Sequence, residues 1–249
     1  MAATNNSGAI AFSPETVTVG DFHIHTLTAG QGEPLVLVHG GDGINPAEEA
    51  TFELARHYRV LQIEMPGWGT EPNTRTRDLR DMGQTVAETV AALHPRPGPV
   101  RLMGTSIGAP VVLWAYFSGL IATSHIVLES PAAFRAGGPP FEGLPGPADF
   151  NHQPGKRRTR VFDPRVMEFM MSLAPAGEDD PELAARMREI DVPVLSVFGA
   201  EDRMVPPGVF KHWYELPPRG RTVLLPAAAH DVKGDLPEVF VKLLLDFLA

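Results

Sequence analysis

Cysteine is absent from the chain, and with it go disulfides, thiolate metal ligands and any cysteine nucleophile. Charge is scarce as well, at 20% of residues, and its balance is acidic, with a formal net charge of -9. A phosphate-backbone partner needs a basic surface that releases counterions, so no nucleic-acid partner is expected. The dense basic run Lys156, Arg157, Arg158 and Arg160, beside Pro154 and Gly155, reads as a solvated loop. No stretch approaches the roughly 18 consecutive apolar residues that cross a bilayer, so no membrane partner is expected. Residues 1–14 have no basic segment leading into an apolar run, so they do not read as a secretory signal. The expectation is a soluble, cytoplasmic protein.

What is present is apolar residues, 43% of 249, enough for one large domain with a sizeable core. Residues 16–29 alternate on either side of Gly20-Asp21, as a hairpin does, with Phe22, Ile24 and Leu27 facing the core and His23 and His25 facing out. Two histidines at that spacing could also be a metal pair, but outward placement on a half-buried strand favours solvent, and no metal site is expected. Leu35 to Val38 is a continuous apolar run, the mark of a strand covered on both faces. It enters His39-Gly40-Gly41-Asp42-Gly43, a loop of small residues whose backbone N–H groups can approach a ligand closely. Pro46 to Tyr58 reads as a helix and Arg59 to Glu64 as a buried strand ending in Met65-Pro66-Gly67-Trp68-Gly69. Asp78 to His94 is an amphipathic helix, with Leu79, Met82, Val86, Val90 and Leu93 at three- and four-residue spacing.

The centre of the pattern is Val100 to Gly108, where an apolar strand ends in Gly104-Thr105-Ser106-Ile107-Gly108. A strand turning sharply into a helix strains the corner residue, and side chains two positions to either side would collide. Glycine stands at both positions. The helix Ile107 to Phe117 follows, with Pro110 in its first turn, where a missing N–H costs little.

Ser124 to Leu128 is the next strand, ending at Glu129. Pro131 to Ile190 then breaks the alternation of strands and helices with turn formers and phenylalanines, too long for an ordinary connection. It reads as an insertion, with helices at Pro164 to Leu173 and Pro181 to Arg188. Its methionines Met167, Met170 and Met171 either pack into the core or line a pocket. Alternation resumes with the strand Val194 to Phe198, the loop Gly199 to Pro206 containing Asp202 and Met204, the strand Thr222 to Leu225, the loop with His230, and a closing helix Pro237 to Leu248. The fold class expected is α/β, a mostly parallel doubly wound sheet of about eight strands whose ligands sit at the carboxyl ends.

Ser106, Asp202 and His230 thus each follow a strand, in the chain order described for α/β hydrolases. The sequence resembles that superfamily along nearly its whole length: His39-Gly40, Glu64-Met65-Pro66-Gly67-Trp68-Gly69, the Ser106 elbow, Gly199 to Pro206 and His230. Glu64 departs from the aspartate usual before that Pro-Gly turn. The resemblance implies a core of residues 1–130 and 191–249, with 131–190 similar to the cap inserted after the sixth strand, here short. It implies a catalytic triad of Ser106, Asp202 and His230, Glu129 being a second place for the acid. It implies an oxyanion hole from the N–H of Ile107 and one of Gly41 or Asp42. Substrate contacts are expected from Gly40, Trp68, Phe141, Met167, Met170, Met171 and Met204. No cofactor is called for; the partner is a small molecule, and the oligomeric state is left open. The implied activity is hydrolysis of an ester, lactone, thioester or C–C bond of a mostly apolar acyl substrate through an acyl-enzyme. A non-hydrolytic lyase or cyclase using the same pocket is the second enzyme reading, and a binding protein that keeps the fold without catalysis is a third.

Overall fold

Strands and helices alternate because the chain alternates short β-branched runs with longer three- and four-spaced apolar patterns. The computed structural model describes residues 10–45, 47–68, 76–95, 98–134, 147–152, 164–173, 180–205 and 209–249. The strands are β1 (Ser13–Val19), β2 (Phe22–Ala29), β3 (Pro34–Val38), β4 (Arg59–Ile63), β5 (Val100–Thr105), β6 (Thr123–Glu129), β7 (Val194–Gly199) and β8 (Gly220–Leu225). They form one sheet in the order β1-β2-β4-β3-β5-β6-β7-β8. The β1–β2 and β2–β4 pairings are antiparallel and all others are parallel. The expected eight-stranded, mostly parallel sheet is therefore the observed one. Strand order reverses at β3, which lies between β4 and β5, and an open α/β sheet offers its ligand crevice beside such a reversal.

Side chains leave β3 alternately to two covered faces. Val36 and Val38 join one apolar cluster, Leu35 and Leu37 the other. On the first face lie α2 (Leu79–Leu93), α3 (Gly108–Phe117), α6 (Pro181–Met187) and α7 (Phe210–Glu215). On the second lie α1 (Glu49–Leu54), α8 (Val232–Asp235) and α9 (Pro237–Leu248). Helix α3 is buried from Gly108 to Ala115, which explains why its sequence lacks a polar stripe. Between β6 and β7 the described elements are α4 (Pro147–Phe150), α5 (Pro164–Leu173) and α6. Leu183, Met187 and Ile190 join the same cluster as α3, so the end of this stretch is packed on the sheet layer.

Two local readings need correction. Leu27 lies on the histidine side of β2 and is half-buried, whereas Thr26 is buried with Phe22 and Ile24. Strict two-residue alternation decides the face, and the Thr26 hydroxyl is satisfied by donating to Glu15 O at 3.1 Å. Of the helix expected from Pro46 to Tyr58, Pro46 lies outside the described residues and α1 is the described helix, since past Leu54 the chain tightens into bonds such as His57 N to Leu54 O. By contrast α2 has the expected extent, with Asp78 as its N-cap accepting from Asp81 N at 2.8 Å.

Candidate active site

The corner between β5 and α3 places Ser106 at φ 52°, the left-handed region that costs a non-glycine residue roughly 1–3 kcal/mol. A Cβ on Gly104 would sit 2.4 Å from Gly108 O, and one on Gly108 would sit 2.4 Å from His39 O. Any larger residue at either position would therefore push strand, helix or the β3 loop aside. Backbone bonds hold the corner: Ser106 N donates to Glu129 O at 2.9 Å, and Ser106 O accepts from Ala109 N at 3.0 Å and Ala132 N at 3.2 Å.

His230, in the loop after β8, is 3% exposed. Its Nε2 lies 2.9 Å from Ser106 Oγ and its Nδ1 lies 2.8 Å from Asp202 Oδ2. The tautomer carrying its proton on Nδ1 satisfies both contacts: Nδ1–H donates to the carboxylate, and Nε2 accepts from the serine hydroxyl. Asp202 is fixed in turn, since its Oδ1 accepts from Met204 N at 2.8 Å and Val205 N at 3.1 Å. Burial by itself lowers the basicity of the His230 imidazole. The Asp202 charge and hydrogen bond, with the Glu129 and Asp231 charges, outweigh it and bring the group above its ordinary 6.5.

Across from the elbow, the loop after β3 lies close against the serine: a Cβ on Gly40 would be 3.4 Å from Ser106 Cβ. This loop is braced from two sides. His39 Nδ1 donates to Gly40 O at 2.6 Å, and its Nε2 accepts from Met65 N at 3.0 Å. Burial outweighs the Gly40 carbonyl and the Asp42 charge and holds His39 at about 4, so it is neutral near pH 7. Trp68 Nε1 donates to Gly41 O at 3.0 Å. Ile107, at the N-cap of α3, is the residue after the serine.

The expected substrate contacts fall in different places. Gly40 borders the serine. Trp68 is 2% exposed, its ring edge-on to His39 and to Phe169 at 5.5 and 5.6 Å between centroids. Met170 is half-buried against the first apolar cluster, and Met204 is half-buried beside Asp202. Met167 and Met171 lie on α5, but their side chains, like the whole of Phe141, are outside the described residues. Among the described residues no group of three or more His, Asp or Glu could hold a metal ion. No described helix is long and apolar enough to cross a membrane.

Glu129, the second acid, is fully buried and committed elsewhere. Thr105 Oγ1 and Lys233 Nζ each donate to its Oε2 at 2.8 Å, and Lys233 N donates to its Oε1 at 2.7 Å. Lys233 Nζ also lies 3.4 Å from Asp231 Oδ1 and 3.8 Å from Glu48 Oε2. Burial opposes its charge, yet the Glu129, Asp231 and Glu48 carboxylates more than offset that and raise its pKa. Lys233 was not legible in the sequence, because apart from Asp231, two residues before it, its partners are brought from far along the chain, Glu129 by the end of β6 and Glu48 by the N-cap of α1. Phe150 was missed for the same reason; its ring stands edge-on to His230 at 5.8 Å and its carbonyl accepts from Asp231 N at 2.7 Å.

Residues 35–243 match the family model described as "Alpha/beta hydrolase family". A pimeloyl-[acyl-carrier protein] methyl ester esterase of Photobacterium profundum is 27% identical, over 89% of this chain and 96% of that enzyme. A 2-hydroxy-6-oxo-6-(2'-aminophenyl)hexa-2,4-dienoic acid hydrolase of Metapseudomonas resinovorans is 23% identical, over 96% of this chain and 92% of that enzyme. The crystal structure of the esterase RhEst1 from Rhodococcus sp. ECU1013 superposes with a TM-score of 0.78 at 21% identity, covering 97% of this chain and 98% of that one. With a family match spanning most of its length and the sheet order above, the chain belongs to the alpha/beta hydrolase family and is an α/β-fold hydrolase.

Proposed function

We propose that the protein is a serine hydrolase that cleaves an ester, lactone or thioester of a small, mostly apolar acyl substrate. Ser106 is its nucleophile, His230 its general base and Asp202 the group that orients the imidazole. The observation that carries this reading is the unbroken hydrogen-bonded line from Ser106 Oγ through His230 to Asp202, assembled from three separate loops. As Ser106 attacks the carbonyl carbon, its proton passes to His230 Nε2, and Asp202 stabilises the imidazolium that forms. The developing oxyanion is received by the Ile107 N–H and by Gly41 or Asp42, each donor contributing about 3–4 kcal/mol. His230 then gives the proton to the departing alcohol or thiol, takes another from the water that attacks the acyl carbon, and returns it to Ser106 Oγ as the Ser106–acyl bond breaks and the acid leaves. Asp202 is preferred over Glu129 because both oxygens of Glu129 are engaged by Thr105 and Lys233.

Residues 131–190 form the short cap of this enzyme over a core of 1–130 and 191–249. The protein works in the cytoplasm on a small molecule. The similarity to a methyl ester esterase supports ester cleavage; the similarity to a dienoic acid hydrolase makes a C–C bond the second substrate class.

A panel of methyl esters of straight-chain acids, a thioester, a lactone and a dienoic 6-oxo acid distinguishes these classes. The expected result is turnover of esters, with kcat/KM falling in acid as His230 becomes protonated. Because the carboxylates raise that group, the midpoint should lie above 6.5. Turnover of the dienoic acid with no ester cleavage would move the assignment to C–C bonds, and no turnover of any of them would contradict the reading.

A further inference from the structure

The loop Gly40-Gly41-Asp42-Gly43 is a turn closed by Gly43 N donating to Gly40 O at 3.3 Å, a bond that by itself leaves the orientation of the central Gly41–Asp42 peptide open. Glycine at 41 leaves ψ almost unrestricted, so the Gly41–Asp42 peptide can rotate unless something fixes it. In a trans peptide the C=O and the following N–H point in opposite directions, so whatever grips Gly41 O also aims Asp42 N–H. Trp68 Nε1 is that grip, at 3.0 Å. His39 does the same one peptide earlier, its Nδ1 gripping Gly40 O at 2.6 Å and so aiming Gly41 N–H.

The indole is in turn held from outside the core sheet. Phe169, on α5, lies edge-on to Trp68. The same ring covers Gly67, where φ is 89° and a Cβ would be 2.3 Å from Phe169 Cε1. Glycine at 67 thus lets Phe169 sit directly on the turn that carries Trp68. At 2% exposure the indole offers a substrate almost no surface, and its one polar atom is already spent on Gly41.

We propose that Trp68 is a positioning residue for the oxyanion hole, holding the Gly41–Asp42 peptide through its indole N–H, and that Phe169 couples the seating of α5 to that peptide. The proposal rests on the serine-hydrolase reading. It assigns Trp68 to transition-state stabilisation instead of substrate contact, and makes α5 part of what keeps the hole assembled.

Trp68→Phe keeps an aromatic ring and removes the N–H. On an ester that the parent turns over, kcat should fall about 10- to 100-fold with KM within about threefold, since the oxyanion exists only in the transition state. Affinity for a trifluoromethyl ketone, which forms an oxyanion on the serine, should fall by a similar factor. The pH midpoint of kcat/KM should be unchanged, because no charged group is touched. Phe169→Leu, a milder change, should lower kcat in the same direction by a smaller factor, and it serves as the test should Trp68→Phe fail to fold. A kcat within threefold of the parent in the folded variant, or a raised KM with kcat intact, overturns the proposal, the latter by making Trp68 a substrate contact. A parent that turns over no ester and binds no trifluoromethyl ketone overturns the serine-hydrolase reading itself, and the proposal falls with it.

Discussion

Ser106→Ala should lower ester turnover by at least about 10^4-fold while leaving the fold in place. Alanine removes only Oγ, and the backbone strain at φ 52° is borne by either residue. The corner is held by Gly104, Gly108 and the bonds of Ser106 N and O to Glu129, Ala109 and Ala132, none of which involves the hydroxyl. Circular dichroism and the unfolding midpoint should therefore match the parent. Turnover within tenfold of the parent would show that another group is the nucleophile.

Asp202→Asn and Glu129→Gln should separate sharply. Asparagine can donate where aspartate accepts, so His230 loses the bond that keeps its proton on Nδ1 and its acceptor nitrogen toward Ser106. By comparison with other triads, kcat should fall about 10^4-fold. Glu129 makes no hydrogen bond to His230 and is saturated by Thr105 and Lys233. Its replacement by glutamine should leave kcat within about tenfold, yet should cost stability of about 3 kcal/mol, because the buried Lys233 ammonium loses its nearest carboxylate. Steady-state kinetics and urea unfolding on both variants decide the matter. A large kcat loss in Glu129→Gln with little in Asp202→Asn would move the acid to the end of β6.

The sheet could be read from the sequence because its signals are local. Leu35 to Val38 is apolar without interruption since both faces of β3 are covered, and Gly104 reports a steric conflict with Gly108 only four residues on, whereas Gly108 answers to the distant carbonyls of Val38 and His39. That Ser106, Asp202 and His230 meet was legible because each directly follows a strand, and parallel strands deliver their carboxyl ends to one edge. What the sequence concealed depends on long-range approach. Lys233 meets Glu129 across 104 residues, and Trp68 reaches Gly41 across 27, with nothing in either neighbourhood to announce it. Trp68 is expected as a substrate contact; its burial and its N–H donated to Gly41 O, in the loop after β3, are visible only in the structure. Leu27 shows the opposite case: its hydrophobicity points to the core, while the two-residue period turns it to the histidine face.

Catching the intermediate tests directly whether Ser106 is the nucleophile. A hydrolase of this kind passes through an ester between the acyl group and Ser106, whereas a lyase or cyclase using the same pocket needs only a proton donor or acceptor there. The parent is mixed rapidly with an activated ester, quenched in acid within milliseconds to seconds, and weighed intact, with the adduct located by peptide mapping. One acyl group is expected on Ser106, formed with a burst of alcohol and lost more slowly as free acid, with no adduct in Ser106→Ala. Ester turnover by the folded parent with no adduct at any time and no burst, or an adduct on a residue other than Ser106, would contradict that role.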